Sequence, residues 1–220
     1  MIIDSHALQT SGYCFLPPLS QKLRYEILDD IANASQGRMY FNLEGIGESI
    51  LDKMSLSFSE INYLHELIYG TAADQKSRYF IARIVSPGDP SESFRMHFDS
   101  HRFTIVVPID IPKCDNRGEL WMFPKIRPEP KFWFTNIFSK LLWKTFSTKW
   151  SMKILTLFKD PIVNDFSNYQ PILFLGRQTL HGNAIVSETA VSKRITVLLH
   201  FFDPEGSFGI GSLLRILRQR

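Results

Sequence analysis

From residue 79 onward the chain is cut into short runs of β-branched and aromatic residues by clusters of turn formers. That spacing constrains the fold more than any other feature. The runs over 79–85, 102–109, 119–123, 170–175, 184–186 and 194–202 predict strands. Ser86-Pro87-Gly88-Asp89-Pro90 predicts a turn, and 112–118 a loop. Short strands punctuated in this way point to a β-sandwich or barrel rather than to βαβ units. The chain shows no internal repeat.

The stretch before residue 79 reads differently. Pro17-Pro18 mark 1–18 as an extended lead-in. Ser20 can cap a helix running to Ser35, with Leu23, Ile27, Leu28 and Ile31 on one face. A short strand is expected over 39–43. A second helix is expected over 59–69, with Ile61, Leu64, Leu67 and Ile68 at helical spacing and Gly70 as its stop. Both helices read as packing support. A hydrophobic fraction of 44% supplies a sizeable core and argues against disorder.

One segment breaks the β pattern. Residues 125–160 hold eight Lys and Arg against only Glu129 and Asp160, and three of the four tryptophans of the chain. Phe134, Phe138, Leu141 and Leu142 fall at helical spacing. This predicts a basic, aromatic, helical insertion, with three roles open to it: a cover packed on the β core, a lid over a site, or an element lying on an anionic membrane surface. The end of the chain, LLRILRQR over 213–220, has the same character. A net charge of +3 is too small to argue for nucleic acid, and no apolar run reaches the ~18 residues of a membrane span. The first residues lack the features of a signal peptide. The two cysteines, Cys14 and Cys114, form no CxxC motif, so a reduced, cytoplasmic setting is expected, with peripheral membrane contact through 125–160 as an added option.

Ahead of the strand at 102–109 stand His97 and Asp99 with one residue between them. Alone the pair is a weak signal. A third donor, His181, follows the apolar run at 172–175 and precedes Gly182. Two imidazoles and one carboxylate leave three adjacent positions of an octahedral metal open, which suits Fe(II), while a catalytic zinc uses the same set. Arg194 opens the last strand, thirteen residues after His181. A guanidinium there needs a partner, and a carboxylate matches its fork. Thr196, two residues on, faces the same way and can donate to the same carboxylate. By the same period His101 shares a face with 97 and 99. It is an alternative ligand, or a residue near the metal that reaches substrate. Arg83 and Arg102 can meet an anionic substrate or the metal-proximal carboxylate, or form surface ion pairs, and His200 reads as a satisfied core or interstrand histidine.

The motifs His97-Phe98-Asp99, the stretch DNRGELWMFP over 115–124, Leu180-His181-Gly182-Asn183 and Arg194-Ile195-Thr196 together resemble the Fe(II)/2-oxoglutarate-dependent oxygenases, and among them most the phytanoyl-CoA dioxygenase type. The resemblance covers roughly residues 79 to 204. It implies a mainly β fold, a double-stranded β-helix (cupin-like, jelly-roll) core with N-terminal supporting helices and a helical insertion. The expected division is one domain over 1–220: a helical N-terminal region over 1–78, the β core 79–204 interrupted by 125–160, and a tail 205–220. The resemblance further implies His97, Asp99 and His181 as iron ligands and Arg194, with Thr196, as the seat of the distal carboxylate of 2-oxoglutarate. His101, Arg102 and Trp121 are the residues expected to reach substrate. The activity implied is oxidation of a small molecule with O2, coupled to conversion of 2-oxoglutarate to succinate and CO2, with ascorbate as a supporting reductant. Asp99 argues for hydroxylation, or for a derived desaturation or dealkylation, because halogenating members lack that carboxylate. Two other readings of the residues are a cupin-like zinc hydrolase or isomerase and a non-catalytic cupin binding protein.

Overall fold

The computed structural model describes residues 3–204 apart from 36, 44, 73–77, 91–92, 132–134, 137, 140–142, 144–154 and 158. Two antiparallel sheets face each other in a jelly-roll arrangement. The larger has the order β1-β7-β4-β9-β3-β2 and the smaller β6-β5-β8. The strands are β1 (Tyr13–Phe15), β2 (Tyr40–Asn42), β3 (Arg78–Val85), β4 (Phe103–Asp110), β5 (Leu120–Phe123), β6 (Ile162–Asn164), β7 (Ile172–Leu175), β8 (Leu180–Asn183) and β9 (Arg194–Phe201).

Among the described residues four helices precede β3: α1 (Ser5–Ser11), α2 (Gln21–Ser35), α3 (Gly47–Lys53) and α4 (Phe58–Tyr69). Their ends follow capping chemistry. Asp4 accepts from the Ala7 amide and Gly12 closes α1 in the left-handed region. Ser57 and Glu60 form a reciprocal capping box on α4, which Gly70 ends. Ile27, Ile31, Ile50, Leu51, Ile61 and Leu64 of these helices pack on one face of the larger sheet.

Strand alternation then decides which residues face the site. Phe103, Ile105, Val107 and Ile109 of β4 and Val197, Leu199 and Phe201 of β9 join the helix-side core. Their alternates turn inward, where Val106, Ile172 and Phe174 meet Leu120 and Met122 of the smaller sheet. Each such side chain, once buried, stabilises the fold by roughly 1.5–3 kcal/mol. Pro108 lies in a central strand, yet β7 pairs β4 only as far as Val106 and the register shifts between Pro108 and Asp110. The missing N–H therefore falls where the ladder is already broken.

Several expected elements shift. The strand expected at 184–186 lies at 180–183, and Val186 makes only an isolated bridge to Arg117. The lead-in at 1–18 is not merely extended: it forms α1 and then β1, which pairs with β7. α3 and β6 are additions. The helical spacing expected at Phe134, Leu141 and Leu142 lies outside the described residues, as does the tail over 213–220. The root of the insertion is described. There Arg127 donates to the Arg177 carbonyl and to Asn136, and Glu129 pairs with Arg177 at 2.7 Å. Among the described residues no helix is long and apolar enough to cross a membrane.

Candidate metal centre

His97 and His181 are held face to face by backbone. They form an isolated antiparallel bridge in which each residue's N–H donates to the other's carbonyl, at 2.9 and 3.0 Å. His181 is thus a strand residue of β8, paired with Met122, and points between the sheets with it. Gly182, on the opposite face, allows the 95–97 segment to cross closely: a Cβ there would stand 2.7 Å from Met96 Sδ and 3.2 Å from the Arg95 carbonyl. Asp99 is placed by its amide donating to the Gly176 carbonyl at 3.0 Å. Gly176 is required for that approach, since its Cβ would lie 2.7 Å from the His101 carbonyl oxygen and 2.9 Å from Asp99 Cβ.

The three side chains converge. His97 Nε2 lies 3.6 Å from Asp99 Oδ1, and His181 Nε2 lies 3.5 Å from Asp99 Oδ2. One donor atom from each residue falls within 4.8 Å of the others, so a single ion can touch all three. Each imidazole has its other nitrogen beside a backbone carbonyl: His97 Nδ1 is 2.8 Å from Arg95 O, and His181 Nδ1 is 3.1 Å from Thr179 O. Carbonyls only accept, so both rings carry the proton on Nδ1 and present a bare Nε2, the tautomer a metal needs.

The charges agree with that role. Burial, then His181 and Arg83, hold the His97 imidazole well below its ordinary pKa against the pull of Asp99. Burial by itself raises the Asp99 pKa. The His181, His200 and His97 rings and the Thr104 hydroxyl overcome it and keep the carboxylate ionised. Thr104 Oγ1 donates to Asp99 Oδ2 at 2.6 Å, so its oxygen accepts from His200 Nδ1 at 3.0 Å. This His200–Thr104–Asp99 chain was legible only as polar residues on the inward period of otherwise apolar strands. The expectation of a satisfied histidine at position 200 agrees with it.

Arg194 also turns inward. It is 2% exposed, its Nη2 donates to Asn183 Oδ1 at 3.0 Å, and its Nε has no hydrogen-bond partner among the described residues. Asn183 is two residues beyond His181 on β8, about 7 Å along the strand. Burial first, then Arg83, bring the Arg194 pKa down to about 9, while Glu119 acts the other way. The group stays charged at neutral pH. Gly118, with φ of +78°, lets the 115–124 motif close over the guanidinium stem, since a Cβ there would stand 2.9 Å from Arg194 Cδ. Thr196 shares the inward face and is buried.

The residues expected at substrate are placed differently from one another. His101 is buried and stacks on His200 with centroids 5.0 Å apart and on Tyr79 at 6.3 Å, outside the group of three donors. The segment 97–101 is not a regular strand, so the alternation that gave His101 a ligand's orientation does not hold. Arg102 turns toward α4: it lies 2.7 Å from His65 Nε2, over the Tyr69 ring and beside Glu129. Trp121 pairs with Gly182 and packs with Phe98, Phe123 and Leu180 on the outer face of the smaller sheet. Neither Arg102 nor Trp121 is brought to the three donors.

No family model matches the sequence, and no curated protein does. The fold does have solved counterparts. A prolyl-4-hydroxylase of Pseudomonas putida is similar with a TM-score of 0.57 at 12% identity, over 90% of this chain and 92% of its own. SnoK, a non-haem alpha-ketoglutarate dependent carbocyclase of nogalamycin biosynthesis, gives 0.56 at 11% identity over 90% and 83%. EctD from S. alaskensis gives 0.55 at 10% identity over 90% and 75%. At such identities the likeness establishes a shared fold, and the chemistry has to be argued from the site.

Proposed function

We propose that this chain is an Fe(II)- and 2-oxoglutarate-dependent oxygenase that hydroxylates, desaturates or dealkylates an unactivated C–H position of a small molecule. One observation carries the reading. Two imidazoles and a carboxylate meet between the two sheets, a buried guanidinium turns inward on β9, and the Nε of that guanidinium is unpartnered among the described residues. The donor set fits iron, because both Nε2 atoms are bare and Asp99 is ionised. The orphaned Nε of Arg194 fits a carboxylate, since a buried donor without an acceptor costs about 1–3 kcal/mol.

Bound there, iron with 2-oxoglutarate supplies O2 activation coupled to loss of CO2 and formation of succinate. The chain's own residues do the rest. His97 and His181 offer neutral nitrogen donors on one side of the site, and Asp99 adds the balancing negative charge. Asp99 would hold the metal as a third donor, and that carboxylate in the donor set supports hydroxylation over halogen transfer. Arg194 receives the distal carboxylate of 2-oxoglutarate with Asn183 steadying it, and Thr196 stands on the same face. The apolar wall of Val106, Phe174, Leu120 and Met122 keeps water from the centre. No side chain has to move a proton. The motifs favour the phytanoyl-CoA dioxygenase branch, with the two sheets as a double-stranded β-helix.

The test is direct. The purified protein, loaded anaerobically with Fe(II), should develop a visible charge-transfer band on adding 2-oxoglutarate. On admitting O2 it should release succinate slowly, even without its substrate. Asp99→Ala should abolish both signals. Absence of both from the unmodified protein sinks the reading.

A further inference from the structure

We propose that Arg177 is a positioning residue of the metal centre: its guanidinium, held by Glu129 at the root of the 125–160 insertion, fixes the backbone beside Asp99. The proposal rests on the reading above and adds to it a residue outside the three donors.

Asp99 needs support from outside its own segment. Beyond the bridge of His97 to His181, residues 97–101 belong to no strand, so no ladder fixes where the carboxylate stands. Its place comes from the turn between β7 and β8. There the Gly176 carbonyl accepts from the Asp99 amide at 3.0 Å. On the other side of Asp99, Arg177 Nη1 donates to the Ser100 carbonyl at 3.2 Å. Two consecutive residues of one turn thus grip the amide of Asp99 and the carbonyl of the residue after it. The same turn reaches a second donor, since the Thr179 carbonyl lies beside His181 Nδ1.

The Arg177 side chain is only 3% exposed, and a guanidinium buried to that degree requires a counter-charge. Glu129 supplies it, with Oε1 2.7 Å from Nε, and Nη2 donates to the Pro130 carbonyl at 3.3 Å. The root of the insertion also binds the turn through main chain. Arg127 Nε donates to the Arg177 carbonyl at 2.7 Å, and the Ile126 amide to the Gln178 carbonyl at 3.1 Å. With Glu129, Pro130 and Ser100 on separate nitrogens of a planar fork, the guanidinium is held in one orientation. A lysine ammonium offers its donors from a single point and cannot reach the same three partners together. Glu129 and Pro130 would suffice to anchor the insertion. The bond to Ser100 extends that anchor into the segment that carries Asp99, so insertion and metal donors share one clamp.

The experiment follows Mn(II) binding by calorimetric titration and the visible bands of added Co(II). It compares the full-length unmodified protein with Arg177→Lys, Arg177→Gln and Glu129→Gln, each melted first without metal. Arg177→Lys should still melt in one cooperative transition, yet bind Mn(II) about 10-fold more weakly. Its Co(II) bands should shift, because Asp99 moves within the donor set. Glu129→Gln keeps an acceptor and loses the charge, so it should change both readouts in the same direction by less. Arg177→Gln should show the largest loss, and if it does not fold, the other two variants carry the test. Unmodified affinity and unmoved Co(II) bands in both Arg177→Lys and Glu129→Gln would make Arg177 an anchor of the insertion alone and overturn the inference. So would weaker Mn(II) binding in Arg177→Lys with the Co(II) bands unmoved, since the donors would then keep their geometry. If the unmodified protein binds neither ion, the metal-centre reading itself has failed, independently of Arg177.

Discussion

Asp99 is the most constrained group of the site, because both of its oxygens are spoken for. Oδ1 faces His97, while Oδ2 faces His181 and accepts from Thr104. The hydroxyl holds the carboxylate in one orientation, and partners of this kind are typically worth about 10–100-fold in metal affinity. Thr104→Val should therefore weaken metal binding by about that factor while leaving the fold intact, as read by calorimetric titration with Mn(II). Unchanged affinity would show the hydroxyl to be dispensable. A pH dependence follows from the same cluster. The pKa of His97 is depressed on folding, so between its folded value and about 6.5 the unfolded chain binds the extra proton. Its stabilisation is present above about pH 6.5 and is lost as pH falls, and Asp99 adds the same trend below about pH 4. His65, also depressed by burial, contributes in the same direction as His97. The melting temperature of the metal-free protein should fall on going from neutral to acid, and His97→Asn should make the upper end of that slope shallower. Parallel slopes in the two proteins would remove His97 from the account.

At the scale of elements, glycines decide how closely the ligand-bearing segments approach. Gly176 follows β7 and presses on Asp99, His101 and Thr104 at once. An added methyl there meets a backbone carbonyl, which cannot step aside. At Gly182 it meets first the end of Met96, which can. Gly176→Ala should destabilise by roughly 1–3 kcal/mol and displace Asp99, while Gly182→Ala should be milder in both respects. Denaturant melts and metal titrations of the two variants check the order, and a reversed order would refute it. These contacts also show what the sequence could disclose. β3, β4 and β9 were legible because each is an eight-residue run rich in β-branched and aromatic side chains, and α4 because its apolar stripe and its stop are both written in it. β1, β2 and β6 span three residues each and exist only by pairing with a distant strand, so local pattern says little of them. His181 was readable as a donor from its setting, but its place on a strand depends on the bridge to His97, eighty-four positions away. For Arg102 the sequence left a substrate contact and an ion pair open, and its contacts with His65 and Tyr69 on α4 and with Glu129 come from tertiary packing that local pattern does not show. Asn183 and Thr104 were missed, although each sits on the inward period of its strand.

On the scale of the whole molecule, the site is assembled from distant stretches of the chain. The three candidate donors come from the 97–99 segment and β8, the buried guanidinium from β9, and packing on the far face of the larger sheet from the N-terminal helices. Nothing in the unfolded chain holds these groups together, so on the proposed reading metal and co-substrate would bind the folded state alone and stabilise all of it. At a free concentration of 100 times its Kd, a single ligand adds about 2.7 kcal/mol, which for a chain of this size raises Tm by about 5–10 °C. Mn(II) should produce a shift of that order in a scanning-calorimetry melt, and 2-oxoglutarate should add a second shift only when the metal is present. Arg194→Gln separates the two contributions, because it keeps the three metal donors and removes the distal seat. It should retain the Mn(II) shift and lose most of the 2-oxoglutarate shift. Arg194→Lys should fail to restore it, since an ammonium lacks the two-pronged match to a carboxylate. A full 2-oxoglutarate shift in Arg194→Gln would place the distal carboxylate elsewhere in the cleft. A shift from 2-oxoglutarate without any metal would show that the co-substrate does not need the three donors.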